Sequence, residues 1–333
     1  MKTISTAVIG VGAMGKNHAR VYSELENVEL VAVSDTDRSN SKKVAEKYKC
    51  SYYSDHNKML KKEDVDAVSI VVPTNLHTKV GMDCIKNNVN LLIEKPIADN
   101  VENGRKMIDA AKKERLVLTV GHVERFNPAV IELKKRLLCG ELGRIFKVSV
   151  HRVGPFPKRI RDVGVVIDLA THDLDIMRYL VSSEVTRVYA ESERKIHTTH
   201  EDLLDAVIKF ENNVVGILDI NWLTPEKIRE LSIVGEKGMF VVKYLSQELF
   251  FYENAEAKIR DYDYSDILMG VTEGNVLDIR IKKTEPLKAE LSSFVDCVRG
   301  GGDPLVSGED ALSALRLALC LIESSMENKV VYV

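Results

Sequence analysis

The chain lacks several things, and each absence removes a class of function. No apolar run approaches the roughly 20 residues that a membrane-crossing helix needs. Neither sign of charge dominates: 47 lysines and arginines face 50 aspartates and glutamates, a formal charge of −3 over 333 residues. Nothing therefore points to nucleic acid or to an acidic membrane surface as a partner. The five cysteines, Cys50, Cys84, Cys139, Cys297 and Cys320, are odd in number, scattered, and form no C-x-x-C pair. A disulfide framework or a zinc ribbon is not expected. The opening "MKTISTAVIG" carries no secretory apolar segment with a cleavage site, so the expected location is cytoplasmic. No internal repeat or low-complexity linker is visible. What is present is an ordinary globular composition, 45% hydrophobic and 29% charged, in a length that accommodates two domains.

The first segment with chemical content is "TISTAVIGVGAMGKNHARVYSEL", read as a buried strand, a glycine turn and a helix. Gly10, Gly12 and Gly15 match G-x-G-x-x-G, with Ala13 and Met14 inside the turn. In this pattern the first glycine makes the turn and the second lets the backbone approach a pyrophosphate. The third packs helix against strand, and the helix N-terminus favours the anion. A second strand, "VELVAVSD", ends in Asp35, twenty residues after Gly15, where a carboxylate receives a ribose 2′-hydroxyl. That carboxylate repels a 2′-phosphate, which favours NAD, while Arg38 nearby leaves NADP open.

Strand-like and helix-like segments keep alternating to about residue 121, as in a doubly wound parallel sheet. Residues at the carboxyl ends of those strands are cofactor candidates: Pro73, Thr74, Asn75 and His77, then Glu94 and Lys95, then His122. For His77 a capping or surface role is the competing reading. From about 122 the pattern becomes alternating strands joined by short turns, such as "ENN" at 211–213 and "EKG" at 236–238. The expected organisation is a Rossmann dinucleotide-binding domain over 1–121. It is followed over 122–333 by an α+β domain with a large, mostly antiparallel sheet, for substrate binding and oligomerisation. An apolar sheet face left open is costly, so a homodimer or homotetramer through that sheet is expected.

The chain resembles the glucose–fructose oxidoreductase / inositol dehydrogenase family, Gfo/Idh/MocA. The resemblance rests on "GVGAMG", "PTNLH" at 73–77, "EKP" at 94–96, "GHVERFNP" at 121–128, "DLATHDLD" at 168–175 and the late "DPLVSGEDALSALRLALCLIESS". It covers nearly the full length. It implies a nicotinamide dinucleotide and hydride transfer to or from a carbon of a sugar or polyol. It makes Lys95 of E-K-P catalytic, maps the D-x-x-x-H pair onto Asp168 and His172, and implies a cis bond before Pro96.

Asp168, His172 and Asp175 are spaced i, i+4, i+7, one face of a helix. Beside a hydride acceptor this stretch needs no metal. His172 is the expected general base in oxidation, Lys95 the group that steadies the developing negative oxygen, and Asp168 an orienting or charge-balancing group. A metal at these residues is the competing reading, although no further ligand set is evident. Asp173 and Asp175 are expected to favour the positive end of the helix. Arg125 and Asn127 in "ERFNP", with Lys158, Arg159 and Arg161 in "GPFPKRIRDVG", suit an anionic substrate. These stretches look like family members that oxidise the 3-hydroxyl of UDP-N-acetylglucosamine or its uronic acid. A neutral sugar or an inositol-like polyol is the alternative substrate. A non-catalytic dinucleotide-binding regulator and a hydro-lyase using NAD transiently are the alternative classes.

Overall fold

A computed structural model of the chain describes residues 2–157, 163–197, 199–254 and 274–333. The apolar runs of the first third form a six-stranded parallel sheet. Its strands are β1 (Ile4–Ile9), β2 (Val28–Ser34), β3 (Ser51–Tyr53), β4 (Ala67–Ile70), β5 (Asn90–Ile93) and β6 (Leu118–Val120), in the order β3-β2-β1-β4-β5-β6. The order reverses at β1 and β4, and in such sheets ligands bind beyond the carboxyl ends of the strands at this switch. Helices α1 (Ala13–Glu24), α2 (Arg38–Tyr48), α3 (His56–Lys62), α4 (Thr74–Lys86) and α5 (Val101–Lys113) make the crossovers. The central strand β4 is buried at every position, as a strand covered on both faces must be.

The contacts divide the chain into two units: Met1–Phe126 with Thr284–Leu317, and Asn127–Lys283 with Ala318–Val333. This differs from a single cut after residue 121. The cause is helix α8 (Pro286–Gly300), whose Leu287, Leu291, Phe294 and Val295 make one apolar stripe. The stripe is buried in the same cluster as Ile4, Val8, Val21 and Tyr22 of the first unit.

The second unit is built on a nine-stranded sheet. Its strands are β7 (Ile145–Pro155), β8 (Val185–Glu193), β9 (Leu203–Phe210), β10 (Val215–Asn221), β11 (Leu223–Gly235), β12 (Gly238–Lys243), β13 (Glu248–Glu253), β14 (Val276–Ile279) and β15 (Val331–Tyr332). The order is β14-β13-β12-β11-β7-β10-β9-β8-β15. Only the pair β10/β7 is parallel, since short turns can join only antiparallel neighbours. Along β9, Leu204, Ala206, Ile208 and Phe210 are buried while Asp205 and Val207 are exposed, so one face is covered and the other open. Helix α6 (Pro128–Leu138) and α7 (Thr171–Val181) belong to this unit, and the division between units falls inside the last helix, α9 (Gly308–Glu327). Among the described residues no helix is long and apolar enough to cross a membrane.

The sequence reading passes over β3, α3 and β15. Three-residue and two-residue strands carry no period, and the seven residues of α3 make barely two turns.

Candidate active site

The glycine turn joins β1 to α1. Gly10 has φ +89°, and a Cβ there would stand 2.3 Å from the Val71 carbonyl oxygen. A Cβ on Gly15 would stand 1.9 Å from the Gly10 oxygen. Both positions are therefore closed to any side chain. A Cβ on Gly12 would meet nothing within 4 Å, and Gly12 and Ala13 are exposed, with Met14 half-buried. Gly12 is also the residue that opens α1, and no side chain caps that end. An open, side-chain-free helix start at the switch of a parallel sheet fits the pyrophosphate of a dinucleotide. Asp35 follows β2, and its Oδ2 accepts a hydrogen bond from the Val11 amide at 2.8 Å while Oδ1 accepts from Asp37 at 2.9 Å. The carboxylate is thus held against the glycine turn. Arg38, exposed at the start of α2, lies with its guanidinium carbon 5.8 Å from the Tyr52 ring centroid.

Thr74 and Asn75 open α4 after Pro73 and stay at least partly exposed. His77 does not. It is 1% exposed, with Nδ1 2.8 Å from the Pro96 carbonyl and Nε2 2.9 Å from the Val72 carbonyl. Burial lowers its pKa against the pull of those carbonyls. The ring is a strut between α4 and the E-K-P turn, whose Lys95–Pro96 bond is cis.

Glu94 and Lys95 leave the carboxyl end of β5, two strands from β1, or about 10 Å at ordinary strand spacing. Glu94 is mostly buried, and its carboxylate is engaged within the unit. Its Oε1 lies 3.0 Å from His18 Nε2, and its Oε2 accepts from the Lys95 amide at 3.2 Å. His18 Nδ1 lies 3.0 Å from Ser69 Oγ, which lies 2.7 Å from Tyr22 Oη. Burial works against the Glu94 charge, but His18 and Lys95 outweigh it and hold the carboxyl below its usual range. This buried chain from Tyr22 to the backbone of Lys95 is absent from the sequence reading. Its visible trace is Ser69, a hydroxyl inside the apolar run "DAVSIVVP".

Glu290 on α8 is a second omission. It is 2% exposed, and neither carboxyl oxygen has a hydrogen-bond partner among the described residues. Burial, and then the charge of Glu94, push it well above the usual carboxyl range. The folded chain therefore keeps a proton that the unfolded chain releases near its ordinary pKa of about 4.3. Stability must fall as pH rises from that value toward the folded one, by up to about 1.4 kcal/mol per pH unit. Glu290→Gln removes the term. Thermal melts of both proteins should show the variant gaining on the wild type between pH 5 and pH 8, and parallel melting curves would refute the assignment.

Arg125 and Asn127 are turned to structural work. Arg125 is 3% exposed, donates to the Leu305 carbonyl at 2.9 Å, and faces Asp310 at 3.3 Å. Asn127 caps α6 through Oδ1, accepting from the Ala129 amide at 3.1 Å, and its amide donates to the Tyr244 carbonyl at 3.1 Å. His122 is buried at the end of β6. Lys158, Arg159 and Arg161 lie outside the described residues.

In the second unit the helix carrying "DLATHDLD" begins with a π turn, Val166–Ala170, which runs straight into α7. Such turns widen a helix locally and are frequent at functional sites. Glu201 secures its start: the Val165 amide donates to the Glu201 carbonyl at 2.9 Å and the Val166 amide to Oε1 at 3.2 Å. Asp168 lies in the π turn and His172 one turn later, both half-buried. Asp173 and Asp175 are not dipole-complementing surface groups, because the helical path starts five or more residues earlier and both are fully buried. Asp173 Oδ2 accepts from Arg152 Nε on β7 at 2.6 Å, a buried ion pair.

Comparison with known proteins follows the same two parts. A family model described as an oxidoreductase family with an NAD-binding Rossmann fold matches residues 4–122. The Gfo/Idh/MocA C-terminal domain matches residues 130–241. The chain belongs to the Gfo/Idh/MocA oxidoreductase family. Among curated Gfo/Idh/MocA relatives, UDP-N-acetylglucosamine 3-dehydrogenase of Acidithiobacillus ferrooxidans is 29% identical over 293 residues, 88% of each chain. The scyllo-inositol 2-dehydrogenase (NAD(+)) of Bacillus subtilis is 25% identical over 96% of this chain and 94% of its own. A solved structure of the Acidithiobacillus enzyme superposes with a TM-score of 0.87 at 27% identity, covering 97% of this chain and 98% of that one. Residues 4–122 are thus the NAD-binding domain of a Gfo/Idh/MocA oxidoreductase.

Proposed function

We propose that this chain oxidises, or in reverse forms, a secondary alcohol carbon of a sugar with NAD, and that the sugar carries a nucleoside diphosphate, as in UDP-N-acetylglucosamine oxidised at its 3-hydroxyl. The observation that carries the reaction class is the placement of Lys95 at the carboxyl end of β5, on the cofactor side of the 3-2-1-4-5-6 sheet. The nucleotide sugar is supported by the relative of that activity at 29% identity. The inositol dehydrogenase at 25% identity supports a neutral polyol as the second reading.

The glycine turn and the start of α1 hold the pyrophosphate, and Asp35 receives the adenosine ribose and disfavours a 2′-phosphate. When bound, the nicotinamide supplies a two-electron hydride acceptor. His172 takes the hydroxyl proton as the alcohol is oxidised and returns it in reduction. Lys95 donates a hydrogen bond to the oxygen of an alcohol held against the nicotinamide and stabilises its developing charge. Asp168, one turn before His172, orients the sugar. Copies of the chain associate through the open face of the nine-stranded sheet.

The test is a panel of nucleotide sugars, free sugars and polyols with NAD and NADP, followed by absorbance of the reduced nicotinamide. Turnover with a UDP-linked amino sugar and NAD is expected. Turnover confined to uncharged polyols overturns the nucleotide sugar, and tight NAD binding without turnover on any alcohol overturns the enzyme. His172→Ala should lose about a hundredfold in kcat/KM, the usual worth of a positioned base. Unchanged turnover would remove it from proton transfer.

A further inference from the structure

The π turn that carries Asp168 has no side-chain cap from its own leading residue. A helix start leaves amides that need acceptors, and here they are buried with Val165 and Val166. Glu201, 35 residues from Val166 along the chain, supplies both acceptors. Its backbone carbonyl takes the Val165 amide and its Oε1 takes the Val166 amide. Gly164 completes the contact. Its carbonyl accepts from the Asp168 amide at 3.0 Å, so Asp168 is anchored on this glycine. A Cβ built on Gly164 would stand 2.0 Å from Glu201 Oε1 and 2.1 Å from Cδ. The Glu201 carboxyl therefore lies against a residue that has no side chain to push it away.

Glu201 itself stands on a tied base. Asp202, fully buried, accepts from the amides of Lys195 at 2.9 Å, of His197 at 2.7 Å and of Ile196. Burial works against the Asp202 charge, but those amides outweigh it and hold the carboxyl below its usual range. The Asp202 amide donates to the Glu193 carbonyl at 3.0 Å, and its carbonyl accepts from the Trp222 amide at 2.9 Å. On the other side of Glu201, the His200 amide donates to His197 Nδ1 at 3.0 Å and the Thr199 amide at 3.2 Å. The His197 ring packs beside Phe156 and Trp222, with centroids 5.6 and 6.3 Å away. Backbone groups on both sides of Glu201 are thus fixed. We propose that Glu201 is a positioning residue, a cap brought from outside the helix that sets the π turn and with it the approach of Asp168 and His172 to the alcohol. The inference rests on the reading that His172 moves the alcohol proton. A group that transfers a proton must be held closely, because a shift of about 1 Å costs on the order of a hundredfold in rate.

Four variants of the full chain test this. Glu201→Ala should lose about tenfold to a hundredfold in kcat, while the dissociation constant for NAD stays within about threefold, since residues 4–122 bind the dinucleotide. Glu201→Gln keeps an oxygen that accepts from Val166 and should stay within about threefold of the wild type. Gly164 is outside the left-handed region, so an alanine there meets the carboxyl and no backbone strain. Gly164→Ala should therefore displace the cap and reproduce the Glu201→Ala loss. The double variant should be no worse than either single, because the second change finds the cap already gone. Hydrogen exchange over residues 164–172 should speed up about tenfold or more in both alanine variants and stay unchanged in Glu201→Gln. Normal turnover in Glu201→Ala overturns the proposal, whether or not exchange speeds up. A Gln variant as slow as the Ala variant overturns it in favour of a role for the charge, and losses that multiply in the double variant overturn the shared cap. A wild-type chain that oxidises no alcohol, or a fully active His172→Ala, overturns the proton-transfer reading instead, and the exchange comparison then decides the cap without any substrate.

Discussion

Lys95→Ala should lose about a thousandfold in kcat/KM, while the dissociation constant for NAD stays within about threefold of the wild type. The first figure is the upper worth of one preorganised donor aimed at an oxygen that gains charge, about 4 kcal/mol. The second follows from where Lys95 sits. It leaves β5, whereas the glycine turn and Asp35 belong to β1, α1 and β2. The loss should fall on kcat more than on KM, since the interaction strengthens only as the alcohol is oxidised. Steady-state turnover with a fluorescence titration of the dinucleotide checks both halves. A variant that turns over normally removes Lys95 from the chemistry, and one that no longer binds NAD makes it a cofactor residue instead.

Asp173→Ala should cost about 3–5 kcal/mol of stability, because it leaves the Arg152 guanidinium charged, buried and without its carboxylate. At about 2–4 °C per kcal/mol for a chain of this size, the melting temperature should fall by roughly 10 °C. The neighbouring position behaves differently. His172 is half-buried on the same helix, and its replacement should change turnover with little effect on stability. Replacing both partners with apolar residues, Asp173→Leu with Arg152→Met, should recover much of the loss, since an ion pair taken out whole leaves no stranded charge. A single variant as stable as the wild type would show that the pair carries no such weight.

Much of the first unit can be read from residues alone. Gly10 and Gly15 announce themselves because the turn leaves no room for a side chain there, and Gly12 and Asp35 complete the spacing of the motif. Long alternating strands such as β9 are equally legible. Reading fails where a residue type states what a side chain can bind but not which way it faces. Arg125 and Asn127 suit an anionic sugar by chemistry, yet Arg125 is bonded to Leu305 and Asp310, far along the chain, and Asn127 caps its own helix. Asp173 resembles a helix-start carboxylate until the π turn moves that start upstream and α7 turns it onto Arg152. Glu94 has the position of a cofactor ligand, but its carboxylate is committed to His18. Except for the cap that Asn127 gives its own helix, these partners lie far along the chain, so no local pattern reveals them.

The return of Thr284–Leu317 to the first unit has a consequence for biosynthesis. Ile4, Val8 and Tyr22 emerge from the ribosome early, but Leu291 and Phe294, which cover them, are made only after the whole intervening segment. At ordinary translation rates of about 5–20 residues per second, that delay is roughly 10–30 s. The nascent nucleotide-binding half must wait that long with an oily flank bare. A ribosome stalled before codon 284 would display a half-finished protein of the kind chaperones hold.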